Sequence, residues 1–458
     1  MSSTASPVRY PDLKSQEIMT RRAWVLVVLG ILIPGSAQLL AGNRRVGRFA
    51  VGTTFILWAL VVIAALLYFF ARPTFVTIAT NYFALWAVQA AIVFYGVLWI
   101  VLMFDVIRLV RLVRVAPAAR AFVAGLAVLS LVLVGGAGAY GLMIAGTTRG
   151  TVDAIFSGGK IEDPVDGRYN IMLLGGDAGP DRDGLRPDSI SVVSVEAATG
   201  KATIIGIPRN LENVPFVAGS PMAAEYPDGY GTDNGCQVDV CLMNSIYTEA
   251  ELVTPELYPN AVADGSQPGI EAMKDAVEGV LGITVQYYVL IDMQGFSQLI
   301  DALGGVTIDS TGRYPIAEPE ALDENGNPPD GTPYIEAGVQ HMDGFTALWY
   351  ARIRAGSNDY DRMQRQHQVE EAILQQFDPA NLLSKFQDVA KAGSQVVSTD
   401  IPQGMLGFFV DLAGKSRVLP VDKLEIVPPL IDVQFPDIAY IHQVVAEQLT
   451  IATPEPTN

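Results

Sequence analysis

The residues best suited to chemistry are arginines in the stretch YARIRAGSNDYDRMQRQ, residues 350–366 of a 458-residue chain with a net charge of −18. The stretch contains Arg352, Arg354, Arg362 and Arg365. A guanidinium group is a planar fork of donors that binds phosphate oxygens bidentately and stays charged when partly buried. Several such forks at one place suit a pyrophosphate better than a single carboxylate. Ordinary ion pairs with nearby acids are the alternative explanation.

Two further arginines belong to the same candidate anion site. Arg186 lies in RPDS and Arg209 in IPRN, and the chain after residue 149 has only 10 arginines in all. Because arginine is scarce in the rest of this region, its concentration in three short stretches favours a shared role.

A helix is predicted to begin near Tyr360 and to orient part of this arginine set. Arg362, Arg365, Gln366 and Val369 follow at spacings of three and four residues. Residues at these spacings are neighbours on the surface of a helix. We therefore expect all four on one face, with the three polar residues leading it.

Aspartates provide the second candidate chemistry, in the motif LLGGDAGPDRDGLRPDSISVV. Asp177 follows a predicted strand and a glycine pair, and Asp188 stands at the start of the next strand. Carboxylates at neighbouring strand ends fit one magnesium ion, or manganese in its place, with water and phosphate oxygens as the other ligands. Turn and cap roles are the competing explanation. Asp181 and Asp183 between them suggest a calcium loop, but the later bidentate Glu of an EF-hand is missing.

Other catalytic chemistries leave no motif in the sequence. It contains no G-x-x-x-x-G-K-[ST] loop, no H-E-x-x-H and no G-x-S-x-G elbow. His341 and His442 have no partner motif, and we expect His367 to be a packed or solvated side chain of the arginine-bearing helix. The sequence therefore gives no support to a serine or cysteine hydrolase, a metalloprotease or a nucleotide-binding enzyme.

Hydropathy and charge divide the chain into a membrane part and an acidic part. Four runs without charged residues are each long enough to cross a bilayer core of roughly 30 Å: 23–42, 49–71, 82–104 and 121–145. Residues 1–149 hold 13 Lys and Arg against 3 Asp and Glu, a charge of +10. The remaining residues must therefore carry a charge of −28 to give the total of −18. A nucleic-acid-binding domain would be basic, so nucleic acid is not an expected partner.

These features predict four regions and an orientation. We expect a cytoplasmic segment at 1–20, a transmembrane region at 21–148, an extracytoplasmic domain at 149–450 and a disordered tail at 451–458. Basic loops mark the cytoplasmic side, and the loop at 105–120 carries four arginines. The last span therefore carries the acidic domain outward, as in a multi-pass protein of the cytoplasmic membrane with an extracellular C-terminal domain.

The first apolar run poses a topological conflict, because basic residues flank it on both sides. Pro34 and Gly35 in IPGSAQ interrupt the run and favour a turn. We therefore expect a re-entrant or interfacial segment followed by three spans. The alternative is four spans with the N-terminus outside, and both place the acidic domain outside the cytoplasm.

The cysteines are consistent with this compartment. Cys236 and Cys241 are the only two in the chain. In an oxidising compartment a close pair of this kind is expected to form a disulfide. A lone C-x4-C without further Cys or nearby His is a weak zinc signal.

Strand and helix patterns alternate in the acidic region, which predicts an α/β fold with a sheet between helices. Strands are predicted at 169–176, 189–196, 201–208 and 286–292. Helices are predicted at 240–252, 269–282, 293–303, 343–352 and 361–377. The segment 311–338, rich in Pro, Gly and acids, is expected as a surface excursion.

Seven segments of this region occur in a telling order: NIMLLGGD, RPDSISVVSV, IPRN, MNSIY, YYVLIDMQGFSQLIDALGGVTID, HMDGFTALWYARIR and DYDRMQRQ. In that order they resemble the LytR-CpsA-Psr family of cell-wall glycopolymer ligases, over most of residues 165–380. The resemblance implies a membrane-anchored, three-layer α/β/α domain with a central mixed sheet. It also implies magnesium-assisted transfer of a glycopolymer, such as a teichoic acid, an arabinogalactan or a capsule polymer, from polyprenyl pyrophosphate to peptidoglycan.

The resemblance also assigns roles by position. The metal ligands would be Asp177 and Asp188. The pyrophosphate-binding residues would be Arg186, Arg209, Arg352, Arg354, Arg362 and Gln366. The supporting polar residues would be Asp359, Asn244 and Arg365. Asp177, Arg352 and Arg354 are the catalytic candidates, with Asp177 as the base for the acceptor hydroxyl, and apolar helix faces would line a tunnel for the prenyl chain.

Two departures from the family pattern and two alternative functions remain. Asn210 stands where the family usually has Asp, so any charge from that position is missing, and the cysteine-bearing insertion is not general to the family. A hydrolase would use the same site with water as acceptor. A non-catalytic polyprenyl-phosphate binder or envelope-stress regulator would need neither Asp177 nor Asp188.

Overall fold

The computed structural model describes residues 8–41, 43–156, 159–177, 185–318, 321–324, 327–355, 358–376 and 397–450. The chain forms two compact units, which meet between residues 149 and 150. The predicted disordered tail at 451–458 lies outside the described residues and remains a prediction, and Asp181 and Asp183 also lie outside them.

The first unit is helical. Its helices are α1 (Gln16–Leu32), α2 (Ser36–Ala41), α3 (Arg44–Phe70), α4 (Arg72–Thr80), α5 (Tyr82–Val110) and α6 (Pro117–Phe156), whose last residues belong to the second unit. Among the described residues, three helical segments are long and apolar enough to span a membrane: Arg44–Phe70, Tyr82–Arg114 and Pro117–Thr147. The first apolar run is not among them.

The interruption predicted in the first apolar run is confirmed. Helix α1 ends at Leu32, and Gly35 adopts a φ of 94°, in the left-handed region that favours glycine. A Cβ at this glycine would lie 2.5 Å from the Cβ of Ala50. The run therefore folds as two short helices, and its relation to the membrane remains a prediction.

The second unit is an α/β domain. Its strands are β1 (Arg168–Asp177), β2 (Arg186–Glu196), β3 (Ala202–Gly206), β4 (Tyr287–Asp292), β5 (Val306–Ser310), β6 (Tyr314–Pro315), β7 (Tyr334–Ile335), β8 (Gly338–Met342), β9 (Val397–Thr399) and β10 (Asp422–Glu425). Its helices are α7 (Pro221–Glu225), α8 (Ile246–Leu252), α9 (Pro268–Leu281), α10 (Met293–Leu303), α11 (Gly344–Arg352), α12 (Asp359–Gln376), α13 (Leu406–Ser416) and α14 (Ile438–Leu449).

Six strands form the central sheet, in the order β10-β3-β2-β1-β4-β9. Strand β1 pairs antiparallel with β2 and parallel with β4, and β10 is parallel to β3. The sheet is therefore mixed, as the resemblance implies. Strands β5 and β8 form a separate ribbon, as do β6 and β7.

Helices cover both faces of the central sheet. Side chains alternate between the two faces along each strand, so every strand contributes to the packing on both sides. Met172, Leu174 and Val192 pack on one face in a core that includes residues of α8, α9 and α14. Leu173 and Val289 point to the opposite face, toward residues of α10, α11, α12 and α13. This second face carries the candidate site.

Two local expectations differ from the structure. The helix predicted at 240–252 begins only at Ile246, after a 3-10 turn at Met243–Ser245, because the expected Cys236–Cys241 disulfide forms and constrains the preceding loop. In the excursion at 311–338, Ile335 is 1% exposed and packs into the second core cluster. This excursion is therefore partly a core element.

Candidate functional site

A cavity of about 460 Å³ lies at the carboxyl ends of the parallel strands β1 and β4. Gly175 and Gly176 of β1, Asp188 of β2 and Asp292 of β4 form one side of its wall. Ligands of open α/β sheets typically bind outside the carboxyl ends of the strands, and pockets for small molecules measure about 300–1,000 Å³. Position and size are therefore those of a ligand-binding site.

Apolar side chains form most of the remaining wall. The sheet and the helices facing it provide Leu173, Val289, Ile291, Phe296, Leu299 and Ile373. Because these side chains come from both layers and leave space between them, the cavity is an apolar chamber within the domain. We call the polar part of the wall, which includes Asp188, Arg352, Arg354 and Arg362, the mouth.

Arg209 connects two carboxylates beside the mouth. Its Nη1 donates to Asp188 Oδ1 at 2.6 Å, and its Nε and Nη2 donate to Asp359 Oδ2 at 3.3 and 3.1 Å. Burial alone would lower the pKa of Arg209, but the two carboxylates outweigh it and the pKa is raised. Burial likewise opposes ionisation of Asp359, yet neighbouring guanidinium groups hold its pKa below the ordinary value.

Arg354 and Arg362 approach the same two carboxylates from the cavity side. Arg354 Nη2 lies 3.7 Å from Asp188 Oδ2, and Arg362 Nη1 lies 3.6 Å from Asp359 Oδ1. Arg362 Nη2 also donates to the backbone oxygen of Asp188 at 3.4 Å. The structure thus brings Asp188 and Arg209 together with Arg354, Asp359 and Arg362, which lie about 150 residues further along the chain.

Arg362 is a buried cation whose hydrogen bonding is incomplete. The residue is 2% exposed, and its buried Nε has no hydrogen-bond partner among the described residues. Burial lowers its pKa to about 10, although Asp359 acts in the opposite direction. The group is therefore still charged at neutral pH and lacks part of the compensation that a buried charge needs.

Arg352 and Gln366 complete the polar wall. Arg352 Nη2 lies 3.4 Å from Glu318 Oε1, and its guanidinium carbon stands 5.5 Å from the ring centroid of Trp349. Gln366 lines the cavity and donates through Nε2 to the backbone oxygen of Ala351 at 3.3 Å. Glu318 comes from the predicted surface excursion, and no local pattern marked it.

Three candidates lie away from the cavity wall. Arg365 is 2% exposed and donates through Nε to Tyr350 O at 2.9 Å. Asn244 is buried and donates its backbone N–H to Arg209 O at 3.1 Å. Arg186 starts β2, opposite Asp177 in the strand register. The side chain of Asp177 lies outside the described part, so its role remains a prediction.

The face of α12 that lines the cavity differs from the expected one. Arg362, Gln366 and Glu370 line it, at spacings of four residues. Arg365 stacks 4.7 Å from the Tyr314 ring centroid, and Val369 is buried in the second core cluster. A spacing of three turns a helix back by about 60° and a spacing of four advances it by about 40°, so the two series diverge.

The donor set is compatible with the metal that the family implies. The β1–β2 pairing places the backbones of Asp177 and Asp188 at the same end of two adjacent strands. Carboxylate oxygens are suitable magnesium ligands. Among the described residues, no group of three or more His, Cys, Asp or Glu forms a metal site by itself.

Fold and site together define a class: an α/β domain with an arginine-rich mouth on an apolar cavity, in a chain with three helices of membrane-spanning length. The chain belongs to the LytR-CpsA-Psr family, because the model of the LytR_cpsA_psr family matches residues 147–427. The resemblance found in the sequence is thus confirmed.

Individual relatives are more distant. Biofilm regulatory protein A of Streptococcus mutans is 26% identical over 239 residues, 51% of this chain and 50% of that protein. The polyisoprenyl-teichoic acid–peptidoglycan teichoic acid transferase TagU of Halalkalibacterium halodurans is 27% identical, over 51% of this chain and 61% of its own. The matches thus span half to about three-fifths of these relatives. The crystal structure of TagV from B. subtilis gives a TM-score of 0.42 at 21% identity, over 63% of this chain and 98% of that one.

Proposed function

We propose that this protein transfers a glycopolymer from a polyprenyl pyrophosphate carrier to peptidoglycan, with formation of a phosphodiester bond. The observation that carries the proposal is a single cavity with arginines at its mouth and apolar side chains beyond them. This arrangement fits a ligand with an anionic head and a long apolar tail. The name of the TagU relative, a teichoic acid transferase, supports the choice of reaction.

The side chains of helix α12 along the cavity wall indicate how the ligand would be oriented. Arg362, Gln366, Glu370 and Leu374 follow one another along the cavity wall at intervals of four residues. With a rise of 1.5 Å per residue, this row covers about 18 Å from a cation to an apolar side chain. The pyrophosphate would therefore lie at Arg362 and Gln366, and the prenyl chain would run toward Leu374.

Four arginines in and beside the mouth form ion pairs with carboxylates: Arg209, Arg352, Arg354 and Arg362 pair with Asp188, Asp359 and Glu318. A bound pyrophosphate would accept hydrogen bonds from these guanidinium groups. Charge-assisted hydrogen bonds from guanidinium groups to phosphate are stronger than those between neutral groups.

In the proposed reaction, the acceptor hydroxyl attacks the phosphorus that carries the glycopolymer. A new P–O bond forms to the acceptor, and the P–O bond to the prenyl phosphate breaks. Arg354 and Arg362 would stabilise the charge that develops on the phosphate oxygens, which is the main contribution of a protein to phosphoryl transfer. The Asp177 carboxylate would take the proton of the acceptor hydroxyl.

Magnesium is proposed as the cofactor, with manganese as a substitute, and Asp177 and Asp188 as its protein ligands. The ion would neutralise charge on the pyrophosphate. Asp188 already pairs with Arg209 and Arg354, so these cations would hold its carboxylate in position.

We also propose a multi-pass topology with the cavity outside the cytoplasm. The three helices of sufficient length and the four arginines of the loop at 105–120 support this orientation. Peptidoglycan and the prenyl carrier would then be accessible to the same domain.

The test uses the full-length chain in lipid nanodiscs, with a prenyl-pyrophosphate-linked saccharide and peptidoglycan oligomers, with and without magnesium. Arg354→Ala is compared with Arg313→Ala, which removes an exposed arginine paired with Glu336 outside the cavity. Magnesium-dependent attachment of saccharide to peptidoglycan, lost in Arg354→Ala and kept in Arg313→Ala, is the expected result. Free saccharide phosphate alone would indicate a hydrolase. Lipid binding without cleavage would indicate a non-catalytic binder.

A further inference from the structure

The carboxyl group of Glu370 lies in the cavity wall and has no role in the proposed reaction. Glu370 of α12 lines the cavity four residues beyond Gln366, next to the apolar stretch that begins at Ile373. The hydroxyl of Ser191, a fully buried residue of β2, lies 3.0 and 3.1 Å from the two carboxyl oxygens. A polar pair therefore interrupts the apolar part of the chamber.

The charged groups around Glu370 are largely matched with one another. His367, on the preceding turn of α12, pairs through Nδ1 with Glu425 of β10. Lys423 of β10 pairs with Glu371 of α12. His367 and Lys423 are thus each paired with another carboxylate, and the hydrogen-bond donor to Glu370 is the hydroxyl of Ser191.

This environment favours the neutral acid. Burial raises the pKa of Glu370, although His367, Ser191 and Lys423 act in the opposite direction. The carboxyl group borders the cavity, so water in an open cavity can hydrate its ionised form. An apolar chain that fills the cavity displaces this water, and loss of hydration raises the pKa of a carboxyl group further.

We propose that Glu370 is a specificity-determining residue of the cavity, which admits an apolar chain when its carboxyl group carries a proton and disfavours the chain when it is ionised. This inference rests on the proposed function, because it takes the cavity as the binding site of the prenyl chain. On this inference, binding of the lipid is coupled to uptake of a proton by Glu370.

The sign of the effect follows from linkage. Below the pKa of Glu370 in the empty protein, the carboxyl group is already protonated and the chain binds most tightly. As pH rises through that pKa, binding requires proton uptake and weakens, until it levels off above the pKa of the occupied protein. Each pH unit between the two pKa values weakens binding about tenfold.

The test measures the dissociation constant of farnesyl monophosphate with the full-length chain in nanodiscs, between about pH 5 and pH 9. Glu370→Gln keeps the shape of the side chain and cannot ionise. Glu371→Gln is the matched control, because it makes the same change one residue further on, at a side chain that pairs with Lys423. The phosphate of the probe titrates equally in all three proteins.

The expected result is an additional loss of affinity in the wild type, about tenfold or more toward high pH, that is absent in Glu370→Gln and present in Glu371→Gln. Parallel pH profiles for the wild type and Glu370→Gln would overturn the inference and leave the proposed function intact. If farnesyl monophosphate does not bind the wild type at any pH, the proposed function fails and this inference fails with it.

A second variant guards against misfolding of Glu370→Gln. Ser191→Ala removes the donor that stabilises the carboxylate, so the loss of affinity should move to higher pH than in the wild type. An unchanged midpoint would contradict the inference. Calorimetric titration in buffers of different ionisation enthalpy counts the protons directly, and the wild type should take up more protons than Glu370→Gln.

Discussion

Replacement by Met should change the stability of the protein in opposite directions at Arg362 and at Arg365. They lie three residues apart on α12 and are both 2% exposed. The guanidinium of Arg365 donates to the carbonyl oxygens of Tyr350 and Ile353, whereas that of Arg362 donates to Asp188 O at 3.4 Å among the described residues. Replacement by Met removes the charge and keeps most of the volume.

The size of the stability change in Arg362→Met follows from the pKa of Arg362. Burial lowers the pKa of Arg362 well below the ordinary value of a guanidinium group, to about 10. At about 1.4 kcal/mol for each pH unit, the charged form destabilises the folded state by roughly 3 kcal/mol. Loss of the charge-assisted hydrogen bond to Asp188 O, which is long at 3.4 Å, offsets about 1.5 kcal/mol of the gain. Arg362→Met should therefore increase the free energy of unfolding by about 1–2 kcal/mol and raise the Tm by roughly 2–6 °C.

Arg365→Met should do the reverse. It leaves the carbonyl oxygens of Tyr350 and Ile353 without their charged donor, at an expected loss of about 3 kcal/mol or more. For the gain in Arg362→Met, the pKa also fixes the pH dependence. A cation with a lowered pKa destabilises the folded state at neutral pH, and this effect declines as pH rises through about 10.

Two assays check this prediction. Calorimetric melting of the full-length chain in detergent reports the stability of each variant, and titration with farnesyl pyrophosphate reports the site. Arg362→Met should melt higher and bind about 10- to 100-fold more weakly, since it loses a charge-assisted contact. Arg365→Met should melt lower and bind with a smaller loss. If Arg362→Met melts lower than the wild type, the cation is satisfied in the folded protein and the reasoning is wrong.

Three further perturbations test other parts of the domain. Cys236→Ser with Cys241→Ser opens a disulfide between residues five apart, and urea unfolding should show a loss of about 2 kcal/mol, with an unchanged midpoint as the contrary result. Gly206→Ala places a Cβ 2.1 Å from Cε1 of His367, so melting should reveal a loss of about 1–3 kcal/mol, and a neutral effect would show that the histidine moves freely. Asp359→Asn removes a carboxylate whose pKa is held low by guanidinium groups. Its destabilisation in urea should be full at neutral pH and shrink below about pH 4, and a difference independent of pH would refute the ion-pair account.

The site residues that lie at strand ends or within motifs rich in charged residues were predictable from sequence. Asp188 belongs to a motif that predicts a magnesium site and Arg354 to one that predicts an anion site, and the structure places Asp188 Oδ2 3.7 Å from Arg354 Nη2. The packing of Arg365 away from the cavity was not predictable, because the guanidinium stacks on the ring of Tyr314, which lies on a ribbon about fifty residues away in sequence. Glu318 was missed for a related reason, since an irregular segment without periodicity carries no signal of what it will approach.

Two titratable side chains of α12 lie in the cavity wall in environments that oppose their charge. The buried Nε of Arg362 has no hydrogen-bond partner among the described residues, and burial raises the pKa of Glu370. Residues that lower stability in this way persist where function requires them. The two lie about 12 Å apart along one helix, which matches a ligand whose anionic head and apolar tail meet the wall at separate points.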